Sequence, residues 1–468
     1  MNQPAFKHQD FSISSIDRLK VVRQDRYYPN QSEHFISFNG IKYMIENYSA
    51  FGIALKGFNR TETSAKQCIY LVDNIEICIF DMAFVRSDEN LKLTMFNIEN
   101  QPLPIEAIQA IEATKVVISS FEKDLSKFCD VPISFRQASS EFKGWIEQLE
   151  IKINNLQKSS FTSSKHDLDQ YEESIAHFVS KYLIQNIQQY CISLGLSIAG
   201  LEPEKTKMCY EYLRTQVGNI FYKSPYGNRA FNKPRGYAGD FEMMNNVYFN
   251  ELRGETLFAK CVQRFFTDNP AGKAVRNRVI YLNEKIEKCN IRNLQSKILG
   301  VASGPAREIQ KFFQDSPDRA SKCEIHLLDQ DADALKFSQK AIYEICRNKG
   351  VQPNIYFHNL AIKNIIAEGL PLSGFDLIYS AGLFDYFTDP VAHFAAKQLY
   401  SALAKEGELV IGNFDANNPA QFIMEALGDW YLIYRDKNKL RELYGTISPK
   451  LVIESEEEGV NLFAILRK

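Results

Sequence analysis

The chain has 468 residues, 45% of them apolar and 24% charged, and a net charge of −2. That is the make-up of ordinary globular protein, long enough for roughly two to four domains, and it excludes a global positive field for nucleic acid or anionic membrane. Its nine cysteines form no C-x-x-C pair, which argues against a zinc site and a disulfide framework and fits a reducing cytoplasm.

No run reaches the roughly 18 apolar residues that a membrane-spanning helix needs, and the opening MNQPAFKHQDF lacks the apolar stretch of a secretion signal. Residues 1–15 read as a loose arm. From 16 to 100 the pattern is β. His34–Phe38, Ile41–Ile45, Ile53–Leu55, Cys68–Val72, Glu76–Phe84 and Leu91–Phe96 are short runs rich in Ile, Phe and Tyr. Asn39-Gly40, Asp73-Asn74 and Ser87-Asp88-Glu89-Asn90 separate them. Short strands at this spacing predict a small barrel or sandwich.

Within this stretch, Asn47-Tyr48-Ser49-Ala50-Phe51-Gly52 fits the pattern [DN]-x-S-x-x-G. It resembles PilZ domains, small barrels that bind cyclic di-GMP. The resemblance implies a nucleotide held at Asn47 and Ser49 by upstream arginines, Arg23 and Arg26. Guanidinium forks bind phosphate bidentately and lie flat on bases. The family's R-x-x-x-R spacing is absent, since Arg18, Arg23 and Arg26 lie five and three residues apart. A barrel used for packing or partners is the alternative, with Asn47 and Ser49 as turn chemistry.

Pro102 and Pro104 open a segment, 101–290, that reads as mostly helical. Ile105, Ile108, Ile111 and Val116 recur at helical spacing, as do Phe121, Leu125 and Phe128. Beyond Pro132, the ranges Phe142–Leu156, Leu168–Leu194, Pro203–Tyr222, Leu252–Phe266 and Ala271–Cys289 fit further helices, with Lys158–Lys165 as a connecting loop. The long amphipathic Leu168–Leu194 is a candidate homodimer face, the alternative being one face of an intramolecular bundle. Asn232–Tyr248 (NKPRGYAGDFEMMNNVY) is predicted to be irregular. Its mixture suits a loop over a ligand: glycines for close approach, Arg235 for an anion, Tyr237 as a flat surface. Arg278 reads as part of a solvated helix face.

From 291 to 468, strands alternate with helices. Ile298–Ala302, Glu324–Leu328, Asn354–His358, Phe375–Ser380 and Glu408–Asn413 are the strands, and Ala332–Lys349 and Asp389–Leu403 are among the helices. This alternation predicts a parallel sheet covered on both faces. Leu451–Glu454 and Asn461–Leu466 follow as a terminal hairpin. A Rossmann-like sheet ending in such a hairpin resembles the class I methyltransferases, which use S-adenosylmethionine. The resemblance assigns Ala302, Ser303, Gly304 and Ala306 to the turn under the methionine part of the cofactor. It assigns Asp329, with Gln330 beside it, to the ribose hydroxyls, Asn359 to adenine, and Ser380, Ala381 and Gly382 to the wall between cofactor and acceptor. Only one glycine stands in the turn where the family usually has three. A nicotinamide-dinucleotide reading would require G-x-G-x-x-G; the turn here is A-S-G-P-A-R, and Pro305 has no N–H for a pyrophosphate.

Taken together, KPRGYAGD at 233–240, AVRNR at 274–278, ILGVASGPAREI at 298–309, AGLFDYF at 381–387 and DWYLIYR at 429–435 are similar to the methyltransferases that make 3-hydroxy-fatty-acid methyl esters, used as quorum signals. A carboxylate acceptor is ionised at neutral pH and needs no general base, only a cation to orient it. Arg235 and Arg435 are the candidates, with Tyr237 and Tyr386 as donors or flat walls. A hydroxyl or amine acceptor would need a base, for which Asp240, Asp385 and His393 come into question. An acyl chain would find an apolar slot between helices 241–266 and 422–434. The expected whole is a multidomain α+β enzyme: a PilZ-like barrel, a helical segment and a methyltransferase domain. The alternative is a cyclic di-GMP effector in which the last domain is an interaction module.

Overall fold

The computed structural model describes residues 25–30, 32–58, 64–159 and 165–468; the arm at 1–15, Arg18 and Arg23 lie outside them. The chain divides after Cys129 into two compact units.

In the first unit six strands close an antiparallel barrel: β1 (His34–Phe38), β2 (Ile41–Ser49), β3 (Gly52–Lys56), β4 (Ser64–Val72), β5 (Ile75–Asp88) and β6 (Leu93–Glu99), in the order β1-β2-β3-β6-β5-β4. Two of its hairpins turn on residue pairs with left-handed backbone, Asn39-Gly40 and Asp73-Asn74. Paired positive φ gives the tight turn that matches strand twist, and Asn, Asp and Gly tolerate it best. Leu103 and then Ile108 of helix α1 (Ile105–Lys127) join the barrel's core. Beneath them His34 Nδ1 lies 2.8 Å from the Tyr70 hydroxyl, and its Nε2 lies 3.0 Å from Glu112 of α1.

The second unit begins with α2 (Ile133–Ser159), α3 (Lys165–Ser197), α4 (Pro203–Phe221), α5 (Pro225–Asn232), α6 (Phe241–Phe249), α7 (Leu257–Asp268) and α8 (Pro270–Arg292). Side chains of Ser224, Asp240, Thr256 and Asn269 accept N–H groups at the starts of α5 to α8, which is why the chain re-enters a helix at each of those points. The expectation of an irregular stretch over 232–248 is corrected here: Asp240 caps a helix, so only 233–240 is loop. Along α3, Val179, Leu183, Ile187 and Leu194 are buried while Phe178 and Leu196 are exposed.

The sheet follows as β7 (Lys297–Val301), α9 (Arg307–Asp315), α10 (Pro317–Ala320), β8 (Glu324–Asp329), α11 (Ala332–Lys349), β9 (Ile355–Asn359), α12 (Ile362–Glu368), β10 (Phe375–Ser380), α13 (Asp389–Ser401), β11 (Leu403–Phe414), α14 (Gln421–Ala426), α15 (Lys437–Tyr444), β12 (Val452–Ser455) and β13 (Asn461–Arg467). Its order is β12-β13-β11-β10-β7-β8-β9. Strands β7 to β11 run parallel, and β13 pairs antiparallel with both β11 and β12. The central strands read as unbroken apolar runs because apolar clusters cover both faces. The chain goes outward from β7 to β9 and returns to the other side as β10. The crevice at that reversal, beyond the carboxyl ends of β7 and β10, is where open parallel sheets take ligands. The helix expected over 422–434 stops at Ala426; residues 427–436 are irregular and cross the mouth of this crevice.

Candidate active site

The turn after β7 sets the site. Ala302, Gly304 and Ala306 all have left-handed backbone, at φ 53°, 52° and 49°. For alanine that conformation costs about 1–2 kcal/mol per residue. It bends the chain so that the Gly304 N–H donates to Asp329 Oδ2 at 2.8 Å. The other oxygen of Asp329, at the end of β8, accepts the Asp331 N–H at 2.9 Å. Burial pushes the Asp329 carboxyl up, against the pull of these N–H groups. The hydroxyl of Ser303 is buried with no protein partner, as is that of Ser380.

Ser303, Gly304 and Asp329 face a cavity of about 350 Å³. Of the residues proposed from sequence, Tyr237, Ala302, Ser303, Gly304, Asp329, Gln330, Ala381, Gly382 and Tyr386 line it. Six others do not. Ala306 is fully buried in the core beneath α9. Asn359 uses its amide on the carbonyls of Asp329 and Gln330, at 3.1 and 3.0 Å. Ser380 is buried one residue short of the cavity wall. Asp240 caps α6 and accepts the Arg229 guanidinium at 2.9 Å.

Arg235 and Arg435, expected to hold an acceptor carboxylate, are already committed. Arg235 forks onto both oxygens of Asp331 at 2.7 and 2.8 Å and reaches Asp333 at 2.7 Å. Its charge holds Asp331 down to about 2. Arg435, only 1% exposed, donates to Asp389 at 3.0 Å, to the Phe384 carbonyl at 3.0 Å, to Asn413 at 2.7 Å, and to the Phe387 carbonyl. It fixes the short helical turn Phe384–Tyr386, which carries Asp385 and Tyr386 into the cavity. His393, the third base in question, is a packed histidine bonded through Nδ1 to the Leu443 carbonyl at 2.7 Å.

The loop 233–240 lies across the cavity. Lys233 pairs with Asp429 at 2.7 Å and Tyr237 donates to Asp331 at 2.9 Å. The Tyr386 hydroxyl donates to the Ala238 carbonyl at 3.1 Å and accepts the Trp430 indole N–H at 2.9 Å. Gly239, at φ 72°, passes so close that a Cβ would meet the Trp430 ring at 2.8 Å.

The cavity's cation is one the sequence reading placed in solvent. Arg278 of α8 is 7% exposed and lines the cavity. Its guanidinium reaches the Ala381 carbonyl at 3.3 Å and the Met244 sulfur at 3.3 Å and hydrogen-bonds Tyr248, while its Nε is buried without a partner. The signal was in the helical period: Ala274, Val275 and Leu282, three and four residues away, are all buried. Two acids share this interior. Glu308 accepts the Tyr379 hydroxyl at 2.7 Å, and burial pushes its carboxyl up. Tyr379 reaches it across β7 because Gly300 leaves room; a Cβ there would stand 2.7 Å from the phenol oxygen. Burial raises Asp385 to about 6, although it accepts the Phe414 N–H at 2.7 Å. Tyr248 and Trp430 complete the walls that sequence reasoning did not single out.

Residues 293–449 match the family model described as a methyltransferase domain. No curated protein matches the chain. Among solved structures, a possible exported protein from Bordetella parapertussis is 14% identical, with 63% of this chain and 96% of that one covered and a TM-score of 0.40. A putative O-methyltransferase from Nostoc punctiforme PCC 73102 is 12% identical, with 66% and 100% covered and a TM-score of 0.35. Magnesium protoporphyrin IX methyltransferase from Synechocystis PCC 6803, with S-adenosylhomocysteine bound, is 11% identical, with 42% and 86% covered and a TM-score of 0.32. Residues 293–449 thus carry a methyltransferase domain, for which S-adenosylmethionine is the cofactor to test against the site. The residues present fit that cofactor: a buried carboxylate stands at the end of β8, and the unpartnered Ser303 hydroxyl lies beside it in the cavity.

Arg435→Met should cost about 3–5 kcal/mol of stability, because it strands buried acceptors on three segments. Denaturant unfolding of the full chain measures this. Unchanged stability with abolished methyl transfer would instead put Arg435 in the chemistry.

Proposed function

We propose that the enzyme methylates the carboxylate of a small apolar acid, with a (3-hydroxy) fatty acid as acceptor and a methyl ester as product. The observation that carries this is Arg278: a buried guanidinium facing the cavity, whose hydrogen bonds go to a carbonyl, a thioether and the Tyr248 side chain. A buried cation that makes no carboxylate fork can still take one from an acceptor. Arg278 replaces Arg235 and Arg435 as the orienting cation. S-adenosylmethionine, when bound, supplies an electrophilic methyl on a sulfonium. Arg278 would orient the acceptor's carboxylate oxygen toward that methyl, so that a C–O bond could form as the C–S bond breaks and sulfur keeps the electron pair. Both charges are lost together, so a dry, apolar cavity favours the step. Met244, Val275 and Leu432 supply apolar walls, and the strap of loop 233–240 keeps water out.

For the cofactor, Asp329 is assigned to the ribose hydroxyls, with Gln330 and Asn359 framing adenine. Ala302, Ser303, Gly304 and Ala306 shape the methionine site, and Ser380, Ala381, Gly382, Tyr237 and Tyr386 form the wall toward the acceptor. The Gly304–Asp329 bond and the orphan Ser303 hydroxyl support this. Arg235 acts at one remove, latching Tyr237 over the site through Asp331. Asp240 acts likewise by capping the helix that carries Met244. A cytoplasmic setting belongs to the same proposal and is supported by nine cysteines without a C-x-x-C pair among them.

Asp385 favours a second reading. A carboxyl near pH 6 in the cavity is placed to serve as general base for a hydroxyl or amine acceptor. For the barrel we propose a PilZ-like cyclic di-GMP site at Asn47, Ser49, Arg26 and Arg23, the last outside the described residues. A hydrogen bond from the Arg26 guanidinium to Asn47, with Asn47 and Ser49 both buried at the end of β2, supports it. In the effector alternative the methyltransferase domain would serve only as an interaction module.

Calorimetry on the full chain should give saturable S-adenosylmethionine binding that Asp329→Ala abolishes. Cyclic di-GMP should bind separately and be lost in Arg26→Ala. Binding of cyclic di-GMP without the methyl donor would reject the enzyme reading of the site.

With methyl-labelled donor and fatty acids, label should enter an organic-extractable, base-labile ester. Arg278→Gln should raise the acceptor KM at least tenfold, a loss of about 1.4 kcal/mol, while donor affinity stays within a few-fold. A general base works only when ionised, so base catalysis by Asp385 would make the rate rise as pH passes through about 6. Carboxylate methylation should show no such rise. A limb near pH 6 that disappears in Asp385→Asn would move the assignment to a hydroxyl or amine acceptor.

A further inference from the structure

Behind the main cavity lies a second, much smaller void of about 30 Å³. Met244, Val275, Phe414 and Trp430 belong to the walls of both. Its far side is made by Phe266, Ile423, Met424 and Leu427, with no charged side chain anywhere in its lining. Asn269, the polar exception with Tyr226, already spends its side-chain oxygen on the Gly272 N–H at 3.0 Å. Water would find too few partners in such a space, so it stays dry. Interiors normally close such gaps; this one persists directly behind a ligand cavity. Met244 stands between the two, with its sulfur 3.3 Å from the Arg278 guanidinium. An unbranched thioether can rotate aside where a branched side chain could not.

We propose that this void is the seat of the acceptor's far hydrocarbon end. The carboxylate meets Arg278, the chain runs past Met244, and the terminal carbons fill the space between α7 and α14. Ile423 and Leu427 then set the longest chain accepted. This rests on the fatty-acid reading above and deepens it.

The test is a methylation series over straight-chain fatty acids of increasing length, run on the parent chain, on Leu427→Phe, which fills the void, and on Ile423→Ala, which enlarges it. Excluding one methylene should lower kcat/KM by about tenfold or more. The filled variant should therefore shift the optimum to shorter chains, the enlarged one to longer chains, and both should bind S-adenosylmethionine as the parent does. If Leu427→Phe does not fold, a shift to longer chains in Ile423→Ala alone decides for the proposal. A length profile that does not move, or falls equally at every length, overturns the void's role and leaves the fatty-acid reading standing. Failure of the parent chain to methylate any fatty acid overturns both.

Discussion

Everything at the site hangs on one carboxylate at the end of β8. Asp329 accepts the Gly304 N–H on one oxygen and the Asp331 N–H on the other. The first bond closes the strained turn after β7; the second opens α11 and positions Asp331. Asp331 in turn receives Arg235 and Tyr237, and so fixes the loop 233–240. Two strand ends and a distant loop are thus tied through consecutive acids on a single segment. The left-handed alanines at 302 and 306 are tolerable because this bonding over-determines the turn. Each carboxylate oxygen of Asp329 already holds one N–H, but an oxygen has room for a second donor, which leaves it able to accept hydroxyls from a ligand.

A second constraint is charge in a closed space. Arg278, Glu308 and Asp385 share an interior lined mostly by apolar side chains. Burial pushes both acids up, Asp385 only to about 6, so Asp385 is largely ionised at neutral pH and, with Tyr248, helps to hold the guanidinium charge. An acceptor's carboxylate entering this space would have to displace or share that attraction, which Asp385 can yield because it makes no fork with Arg278.

Much of this was legible in the sequence, for physical reasons. The sheet's strands are covered on both faces, so they appear as unbroken apolar runs, and Asp329 stands out because it ends one of them. The paired turn residues 39–40 and 73–74 announced the barrel's hairpins. What was misread shares one cause: polar residues were read by type rather than by environment. Arg278 looked like a solvated residue because it is charged, although its spacing from Ala274, Val275 and Leu282 placed it on the buried face. Asp240 looked catalytic within a glycine-rich loop, yet an acid three residues before Met243 is also how a helix starts. Arg435 carries the right charge for an acceptor, but its partners Asp389, Asn413 and the Phe384 and Phe387 carbonyls come from distant segments. No local pattern reveals that convergence.

The single cation also bears on how two carboxylates would be accommodated, since S-adenosylmethionine carries one of its own. In the turn after β7 the N–H groups of Ser303, Gly304 and Ala306 are bonded within the protein, and Pro305 has none. The next donors are those at the start of α9, where the helix dipole favours an anion. Glu308 sits in that first turn, with its carboxyl turned to accept the Tyr379 hydroxyl. Arg278 approaches from the opposite side, against Ala381 and Gly382 beyond β10. On the proposed reading the two anions are therefore separated: the cofactor's is met by a helix start, and the acceptor's by a guanidinium. That separation would leave the guanidinium to the acceptor's carboxylate and keep the cofactor's carboxylate from competing for it.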